Sequence, residues 1–199
     1  MRYTGPKDRL SRREGVDLFG AGAKLTRLSV PPGMHGPKGT RRKVSDYGRQ
    51  LREKQKTKRI YGISEKQLER YVSEAEKIRG NTGEVLVKFL ETRLDNVVYR
   101  LGFGPTRAAA RQIVSHGHIL VDSKKLNIPS YRVKIGQTVA LDPKAQAIPE
   151  VKKLLEAKDV TIAPWLEKVA AIGKIAGEPE RKDVFEPISE QDVIEFYSR

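Results

Sequence analysis

The stretch RLDNVVYRLGFGPTRAAARQIVSHGHILV, residues 93–121, decides the fold of this chain. Its first part has apolar residues at helical spacing and ends in a Gly-Phe-Gly break. Its middle part is predicted to form a second helix that is capped by Thr106, packs apolar residues inward and stops at Gly117. The last four residues, 118–121, are predicted to form a strand.

The residues that follow are predicted to complete a small antiparallel sheet. Residues 122–127 form a turn that carries two lysines, residues 131–135 alternate as a strand does, and residues 138–141 form a last strand. The predicted unit, residues 93–142, therefore consists of two helices packed on a small antiparallel sheet. The fold class is α+β, and the unit carries 8 basic against 3 acidic residues.

The N-terminal part of the chain is far more basic than the rest. Residues 1–60 hold 17 Lys and Arg against 5 Asp and Glu, and the net charge of the whole chain is +14. Gly and Pro recur through residues 1–44, which predicts an extended, irregular arm with one short element around residues 11–19. Because charges at this density repel one another, the arm requires a polyanionic partner.

Helical patterns lie on both sides of the compact unit. Good helix formers fill residues 45–60, a second helix begins at Ser64, and Thr82 is predicted to cap a third. In the C-terminal tail, Trp165 is predicted to dock onto the body of the protein, and Ser189 precedes a short capped helix. The tail is slightly acidic, which is typical of a folded part and not of a nucleic-acid-binding arm.

Composition excludes several classes of protein. The chain has no Cys, which removes disulfides, thiolate nucleophiles and cysteine zinc sites together. No run approaches the roughly 18–20 apolar residues of a membrane span, and the N-terminus has no apolar signal region. A net charge of +14 favours nucleic acid or an anionic membrane as the partner. We therefore expect a soluble intracellular basic protein.

The second helix of the compact unit is the sharpest local indication of function. Arg107 and Arg111 are four residues apart and therefore share one helix face, and Lys124 and Lys125 lie on the turn just beyond it. Cations on a rigid element suit the phosphates of folded RNA, to which arginine adds bidentate geometry. The alternative interpretation is a solvated basic helix face without a ligand.

Residues 92–131 resemble the S-four RNA-binding module, and the resemblance to the bacterial small-subunit ribosomal protein S-four family runs nearly end to end. The stretches that carry it are 11–15 (SRREG), 31–36 (PPGMHG), 45–48 (SDYG), 51–56 (LREKQK), 59–62 (RIYG), 92–104, 107–121, 127–131 (NIPSY) and 195–199 (EFYSR).

The resemblance implies a primary binder of 16S rRNA in the cytoplasm. Such a protein lies at a multi-helix junction of the 5′ domain, nucleates assembly, and contributes to translational accuracy near the path by which mRNA enters. Its implied neighbours are ribosomal proteins S-three and S-five. The implied domains are the arm, residues 1–44, a helical domain of residues 45–92 with 170–199, and the module with its extension, residues 93–169.

Charge pattern and resemblance together give the candidate site residues. The predicted RNA-binding residues are Arg2, Arg12, Arg13, His35, Arg41, Arg42, Lys43, Arg49, Arg52, Lys54, Lys56, Lys58, Arg59, Arg107, Arg111, Gln112, His116, His118, Lys124, Lys125 and Arg132. The C-terminal helix is expected to pack on the protein itself or on a neighbouring protein, through Val193, Ile194, Glu195 and Tyr197.

No cofactor is expected. Some members of the family carry a four-cysteine zinc site in the arm, and two of those positions correspond to Asp8 and Ser11 here. His116 and His118 are two residues apart but have no third ligand nearby, so a metal site at this pair is not expected. The arm must then be ordered by RNA and by local packing.

Two rival functions are weighed against RNA binding in the ribosome. Pseudouridine synthases carry the same module and an Arg-Leu-Asp motif, which Arg93, Leu94 and Asp95 match. Here the residues that usually follow are absent, and Asp95 is interpreted as an acid that favours a helix N-terminus. We therefore do not expect an enzyme. The second rival is a free-standing RNA-binding stress or chaperone module.

Overall fold

A computed structural model describes residues 3–20, 27–37, 45–156 and 162–198. The helices are α1 (Lys7–Glu14), α2 (Asp46–Ile60), α3 (Glu65–Glu76), α4 (Thr82–Glu91), α5 (Leu94–Arg100), α6 (Arg107–Ser115), α7 (Pro143–Gln146), α8 (Pro149–Glu156) and α9 (Glu190–Tyr197). The strands are β1 (Ile119–Val121), β2 (Lys124–Lys125), β3 (Thr138–Leu141), β4 (Leu166–Val169) and β5 (Ile172–Ile175), and a short 3-10 helix spans Arg181–Asp183.

The chain divides into two compact units, Met1–Lys77 with Pro187–Arg199, and Ile78–Glu186. The bounds of these compact units differ from those of the three expected domains, and the domain division therefore stays a prediction. Strand β5 lies within residues 170–199, which were expected in the helical domain, yet it pairs with β3 in the second unit. The pairing, and not the periodicity of the tail, therefore decides where this segment belongs.

Among the described residues, no helix has the length and apolar character that a membrane crossing requires.

The first unit is helical. The predicted apolar stripe of α3 is buried, including Leu68 and Val72, and the Ser64 hydroxyl accepts the Gln67 amide as a helix cap. Helix α9 packs on α2 and α3. The short element of the arm is α1, which begins after Pro6 and lies earlier than the expected 11–19. It ends at Gly15, whose φ of 68° is the left-handed conformation typical of a glycine helix end.

The second unit confirms the α+β class, with helices packed on an antiparallel sheet. Its core joins the apolar face of α5, which includes Leu94 and Val98, to that of α6, which includes Val114, and to strands β1 and β3. Thr106 caps α6 as predicted, by accepting the Ala109 amide. Trp165 is buried in the same core, which confirms its predicted docking.

The sheet has more strands than the sequence predicted. Its order is β2-β1-β3-β5-β4, and every pairing is antiparallel. The β4–β5 hairpin was missed because its strands, LEKV and IGKI, carry apolar residues only at their two ends and show no apolar alternation. A Cβ at Gly173 would lie 2.4 Å from Leu101 Cδ1, so glycine is needed where β5 passes over α5.

Three further local predictions need correction. Residues 131–135 form an isolated antiparallel bridge, Arg132 with Arg93, and not a strand of the sheet. Lys124–Lys125 is strand β2 and not part of a turn, since it pairs with β1. Thr82 is the first residue of α4, and Asn81 caps it by accepting the Gly83 amide.

Candidate nucleic-acid interface

The β1–β2 hairpin holds two of the predicted RNA-binding lysines at the surface. Its two-residue turn has positive φ at both positions, 47° for Asp122 and 66° for Ser123, which matches the right-handed twist of the flanking strands. Lys124 and Lys125 follow this turn and are exposed. Lys125 Nζ lies 2.9 Å from Asp142 Oδ2, and a Cβ at Gly117 would lie 4.0 Å from its Cδ. The hairpin therefore presents Lys125 beside the C-terminal end of α6.

Arg107 is bound within the second unit. Its Nε donates to Asn96 Oδ1 at 2.8 Å, its Nη2 is paired with Glu186, and its guanidinium lies 4.6 Å from the ring centre of Tyr99. The side chain is only 15% exposed. The predicted phosphate ligand is therefore engaged by protein groups on several sides.

Arg111 lies one turn further along α6 and is more accessible. Its side chain is 33% exposed, and its Nη1 lies 3.4 Å from Asp95 Oδ2. Asp95 is itself buried and is bound twice by Arg93, at 3.0 and 2.8 Å. This buried pair gives Asp95 a structural partner, and it steadies the start of α5 beside α6.

An ion-pair network lies behind α6. Arg100 binds Glu91 at 2.9 Å and Glu186 at 2.7 Å, and Asn96 Nδ2 donates to Glu91 Oε2 at 2.8 Å. Burial raises the pKa of Glu186, but the charges of Arg107 and Arg100 outweigh it and hold that pKa at about 2. The same acids raise the pKa of Arg100 against the effect of burial. Glu186 therefore stays ionised and keeps Arg107 in one place.

The remaining predicted residues of this unit are mostly at the surface. Gln112 and His116 are exposed, and His118 is half-buried. The rings of the two histidines are 6.1 Å apart. Arg132 is exposed, and its guanidinium lies 4.4 Å from the ring centre of Phe89. The ring of Phe89 therefore supports the Arg132 guanidinium at the surface.

The predicted RNA-binding cations of α2 have carboxylate partners in the first unit. Glu65 binds Lys54 at 2.7 Å and Lys58 at 2.9 Å, and Glu53 binds Lys56 at 2.5 Å. The ion pairs of the arginines are Arg49 with Asp192, and Arg52 and Arg59 with Glu14. Arg49 is the most exposed of these cations, at 55% of its side chain.

Lys54 is the clearest case of a cation that faces the protein interior. Its residue is 5% exposed, and its Nζ lies 4.3 Å from the ring centre of Phe196. The Tyr197 hydroxyl donates to the same Glu65 carboxylate at 2.7 Å. Burial and this carboxylate raise the pKa of Tyr197, while bonds from Lys54, Tyr197 and Lys58 overcome burial and hold the pKa of Glu65 at about 2.

Arg12 is bound by the backbone of the arm itself. Arg12 donates to the carbonyl oxygens of Val30 and Pro31 at 3.0 and 3.1 Å. Arg13 and His35 are exposed. The remaining predicted residues of the arm lie outside the described residues; they are Arg2, Arg41, Arg42 and Lys43.

The C-terminal helix packs on the protein's own first unit. Val193 is fully buried, Ile194 is half-buried, and Glu195 Oε2 accepts the Gln50 amide at 2.8 Å. Tyr197 is held by Glu65, as described above. These contacts hold the helix on its own unit, and the assignment of these four residues to a protein interface stays a prediction.

The described residues of the arm do not form a zinc site. Asp8 is exposed, and the buried hydroxyl of Ser11 accepts the Leu18 amide at 3.3 Å, so Ser11 serves the local turn. In the described part of the chain, no three His, Asp or Glu side chains come together as metal ligands would. With no Cys in the sequence, the residues present do not fit the zinc of related proteins.

The sequence did not reveal the acidic residues that pair with the predicted RNA-binding lysines and arginines. Glu14, Glu65 and Glu186 are distant in sequence from most of their partners, so no local spacing could reveal them. Two ion pairs of α2, Glu53 with Lys56 and Asp46 with Arg49, have the i, i+3 spacing that indicates a helical ion pair.

Comparison with known families adds a second line of observation. The chain matches the profile "Ribosomal protein S4/S9 N-terminal domain" over residues 2–91 and the profile "S4 domain" over residues 92–139. It is 49% identical over 201 residues to the small ribosomal subunit protein uS4 of Akkermansia muciniphila, covering all of this chain and 99% of the relative. The proteins of that name from Porphyromonas gingivalis and Geobacillus stearothermophilus are 46% and 48% identical, with the same coverage.

These similarities define the chain as a ribosomal protein with an S-four module, and it belongs to the small ribosomal subunit protein uS4 family. The resemblance stated from the sequence is therefore confirmed. Because the family is one of structural ribosomal proteins, the prediction that the chain is not an enzyme is confirmed as well.

Proposed function

We propose that this chain is a structural constituent of the small ribosomal subunit in the cytoplasm and a primary binder of its 16S rRNA. One observation carries the proposal: Lys124 and Lys125 are exposed on the β1–β2 hairpin. This hairpin lies within the part of the chain that matches the S4 domain. The mechanism is equilibrium binding without turnover. Phosphate contacts hold the protein on the RNA, and the rigid module fixes the register.

The two units contribute differently to the proposed binding. In the second unit, the accessible cations Arg111, Lys124, Lys125 and Arg132 supply phosphate contacts from a packed scaffold. In the first, Arg13 and Arg49 are exposed, whereas Lys54 and Lys56 are buried in ion pairs and support the fold of α2. Binding therefore depends on fewer cations of α2 than the composition suggests.

The proposal extends to assembly and to neighbours. We expect the protein to occupy a multi-helix junction of the 5′ domain, to nucleate folding of that domain, and to contribute to translational accuracy. Expected neighbours are ribosomal proteins S-three and S-five and the mRNA where it enters the subunit. Support comes from the full-length identity to relatives named as small ribosomal subunit proteins.

A hydroxyl-radical footprint of the purified protein on small-subunit rRNA tests the proposal. The expected result is one compact set of protected riboses in the 5′ domain. A Lys124→Ala, Lys125→Ala double variant should weaken the protection, while Lys182→Ala, which removes a cation paired with Glu180, should leave it unchanged. Protection scattered over the whole rRNA, or none, would overturn the proposal.

A further inference from the structure

A surface pocket lies beside the β1–β2 hairpin and has no assigned role. Its volume is about 320 Å³, and it is lined by hairpin residues between 121 and 126, by Tyr131 and by Gln137. This volume is at the lower end of the range for small-ligand pockets. It suits a single nucleotide and is far too small for an RNA helix.

One wall of the pocket is a chain of hydrogen bonds that ends in a carboxylate. The Tyr131 hydroxyl donates to Gln137 Oε1 at 3.3 Å, and Gln137 Nε2 donates to Asp122 Oδ2 at 2.7 Å. Thr138 donates to the other oxygen, Asp122 Oδ1, through its amide at 2.9 Å and through its hydroxyl at 3.3 Å. Since each carboxylate oxygen accepts about two bonds, Oδ2 keeps one acceptor site open.

The charges at the pocket are of both signs. Lys124 and Lys125 are exposed at its rim, where they can meet a phosphate. The backbone amide of Thr138 and the side chain of Gln137 lower the pKa of Asp122, so this group is a carboxylate at neutral pH. A carboxylate accepts hydrogen bonds only. It therefore attracts amino groups and repels phosphate and carbonyl oxygens.

Nucleobases differ in what they offer to such an acceptor. Adenine, cytosine and guanine each carry an exocyclic amino group, whereas uracil carries none, and its one edge donor, N3–H, is flanked by two carbonyl oxygens. Unstacked RNA bases are commonly recognised by stacking on aromatic side chains and by hydrogen bonds to their edges. The pocket offers one aromatic ring, one open acceptor and two cations within the reach of one nucleotide.

We infer that this pocket holds one unpaired nucleotide of the bound RNA whose base carries an exocyclic amino group. The base lies against Tyr131, its amino group donates to Asp122 Oδ2, and its phosphate is bound by Lys124. Uracil is disfavoured because the two carbonyl oxygens that flank its N3–H repel the carboxylate. The inference rests on the proposed RNA-binding function and adds the class of nucleotide that this site selects.

Titration of the isotope-labelled full chain with AMP, CMP, GMP and UMP, followed by NMR, tests the inference. Saturable shifts are expected at the amides of Asp122, Leu126 and Gln137. UMP should bind about fivefold more weakly than the best of the other three, which is the effect of one hydrogen bond. Shifts equal for all four nucleotides, shifts confined to other residues, or no shifts at millimolar concentration would overturn the inference.

Two variants sharpen the test. Asp122→Asn keeps a residue type that tolerates the φ of 47° and replaces an acceptor oxygen with an amide donor, so the preference against UMP should vanish or invert. Glu150→Gln removes the same charge from an exposed position of α8 and should leave the preference unchanged. An unchanged preference in Asp122→Asn would contradict the role of the carboxylate.

The rRNA footprint separates failure of the inference from failure of the proposed function. If the wild-type chain protects the 5′ domain of the rRNA and no nucleotide shifts the hairpin amides, the inference alone is wrong. If the rRNA is not protected, the proposed function is wrong. Shifts produced by a short peptide and not by any nucleotide would make the pocket a protein-binding site and overturn the inference.

Discussion

Glu14 of the arm helix α1 binds Arg52 of α2, with 3.2 Å between Glu14 Oε1 and Arg52 Nη1. Arg59 pairs with the same oxygen, and the Glu14 side chain is fully buried. Burial raises the pKa of Glu14, although Arg52 and Arg59 act in the opposite direction. An acid of the arm thus occupies two cations that the sequence assigned to RNA, and it connects α1 to α2.

Replacing Glu14 with Ala should loosen the attachment of α1. The variant leaves Arg52 and Arg59 without their shared carboxylate. The free energy of opening α1 should therefore fall by about 1–3 kcal/mol. This is less than for a fully buried ion pair, because both arginines are partly exposed. Hydrogen exchange of the amides in residues 10–14 measures this change. Asp8→Ala, at an exposed position of the same helix, is the control. Equal exchange in the two variants would contradict the attachment.

Acid should destabilise the second unit through Glu186. A folded-state pKa of about 2 against an ordinary value of 4.5 means that its stabilisation is complete above pH 4.5 and is lost as pH falls towards 2. The difference corresponds to about 3 kcal/mol. About 2 kcal/mol of this difference is lost between pH 6 and pH 3. Urea unfolding at these two pH values measures that loss in the wild type and in Glu186→Gln. The variant should lose less stability on acidification, and an identical loss in both proteins would contradict the ion pairs of Glu186.

Arg107 and Arg111 should respond differently to replacement by Ala. Arg107→Ala leaves the half-buried Glu186 with one arginine fewer, so the free energy of unfolding should fall by about 1–3 kcal/mol. Arg111→Ala removes a more accessible cation and should weaken rRNA affinity with little change in the melting temperature. Thermal unfolding and filter binding separate the two effects. Loss of affinity without loss of stability in Arg107→Ala would show that Arg107 contacts RNA directly.

Binding to rRNA should depend steeply on salt. If about 6–10 phosphates are neutralised, affinity should fall by roughly 10³–10⁵ between 50 and 200 mM salt, by the rule for duplexes. The Lys124→Ala, Lys125→Ala variant should lower the slope of log affinity against log salt by about 2. A slope equal to that of the wild type would mean that neither lysine contacts a phosphate.

Helix caps and apolar periodicity, which depend only on neighbouring residues, predicted the helices of the second unit well. Thr106 caps α6, and the inward face of that helix includes Val114, as the spacing indicated. The β4–β5 hairpin could not be predicted in this way. Its short strands depend on pairing with β3 and on the close approach at Gly173, which are features of the assembled sheet.

The candidate site shows the same limit. Composition identifies where cations are abundant, but it does not show which of them the protein itself engages. Lys54 and Lys124 look alike in sequence, yet one is buried against Phe196 and Glu65 and the other is exposed on a hairpin. Burial and partners distant in sequence make this difference, so only the folded structure separates structural cations from candidate ligands.

Co-sedimentation of the chain with small ribosomal subunits tests the central claim most directly. Subunits purified from cells and washed with high salt should retain the protein in a one-to-one ratio with 16S rRNA, as a structural constituent that binds rRNA directly would be retained. Absence of the protein from the washed subunits, with recovery in the free fraction, would contradict the account and favour a free-standing RNA-binding protein.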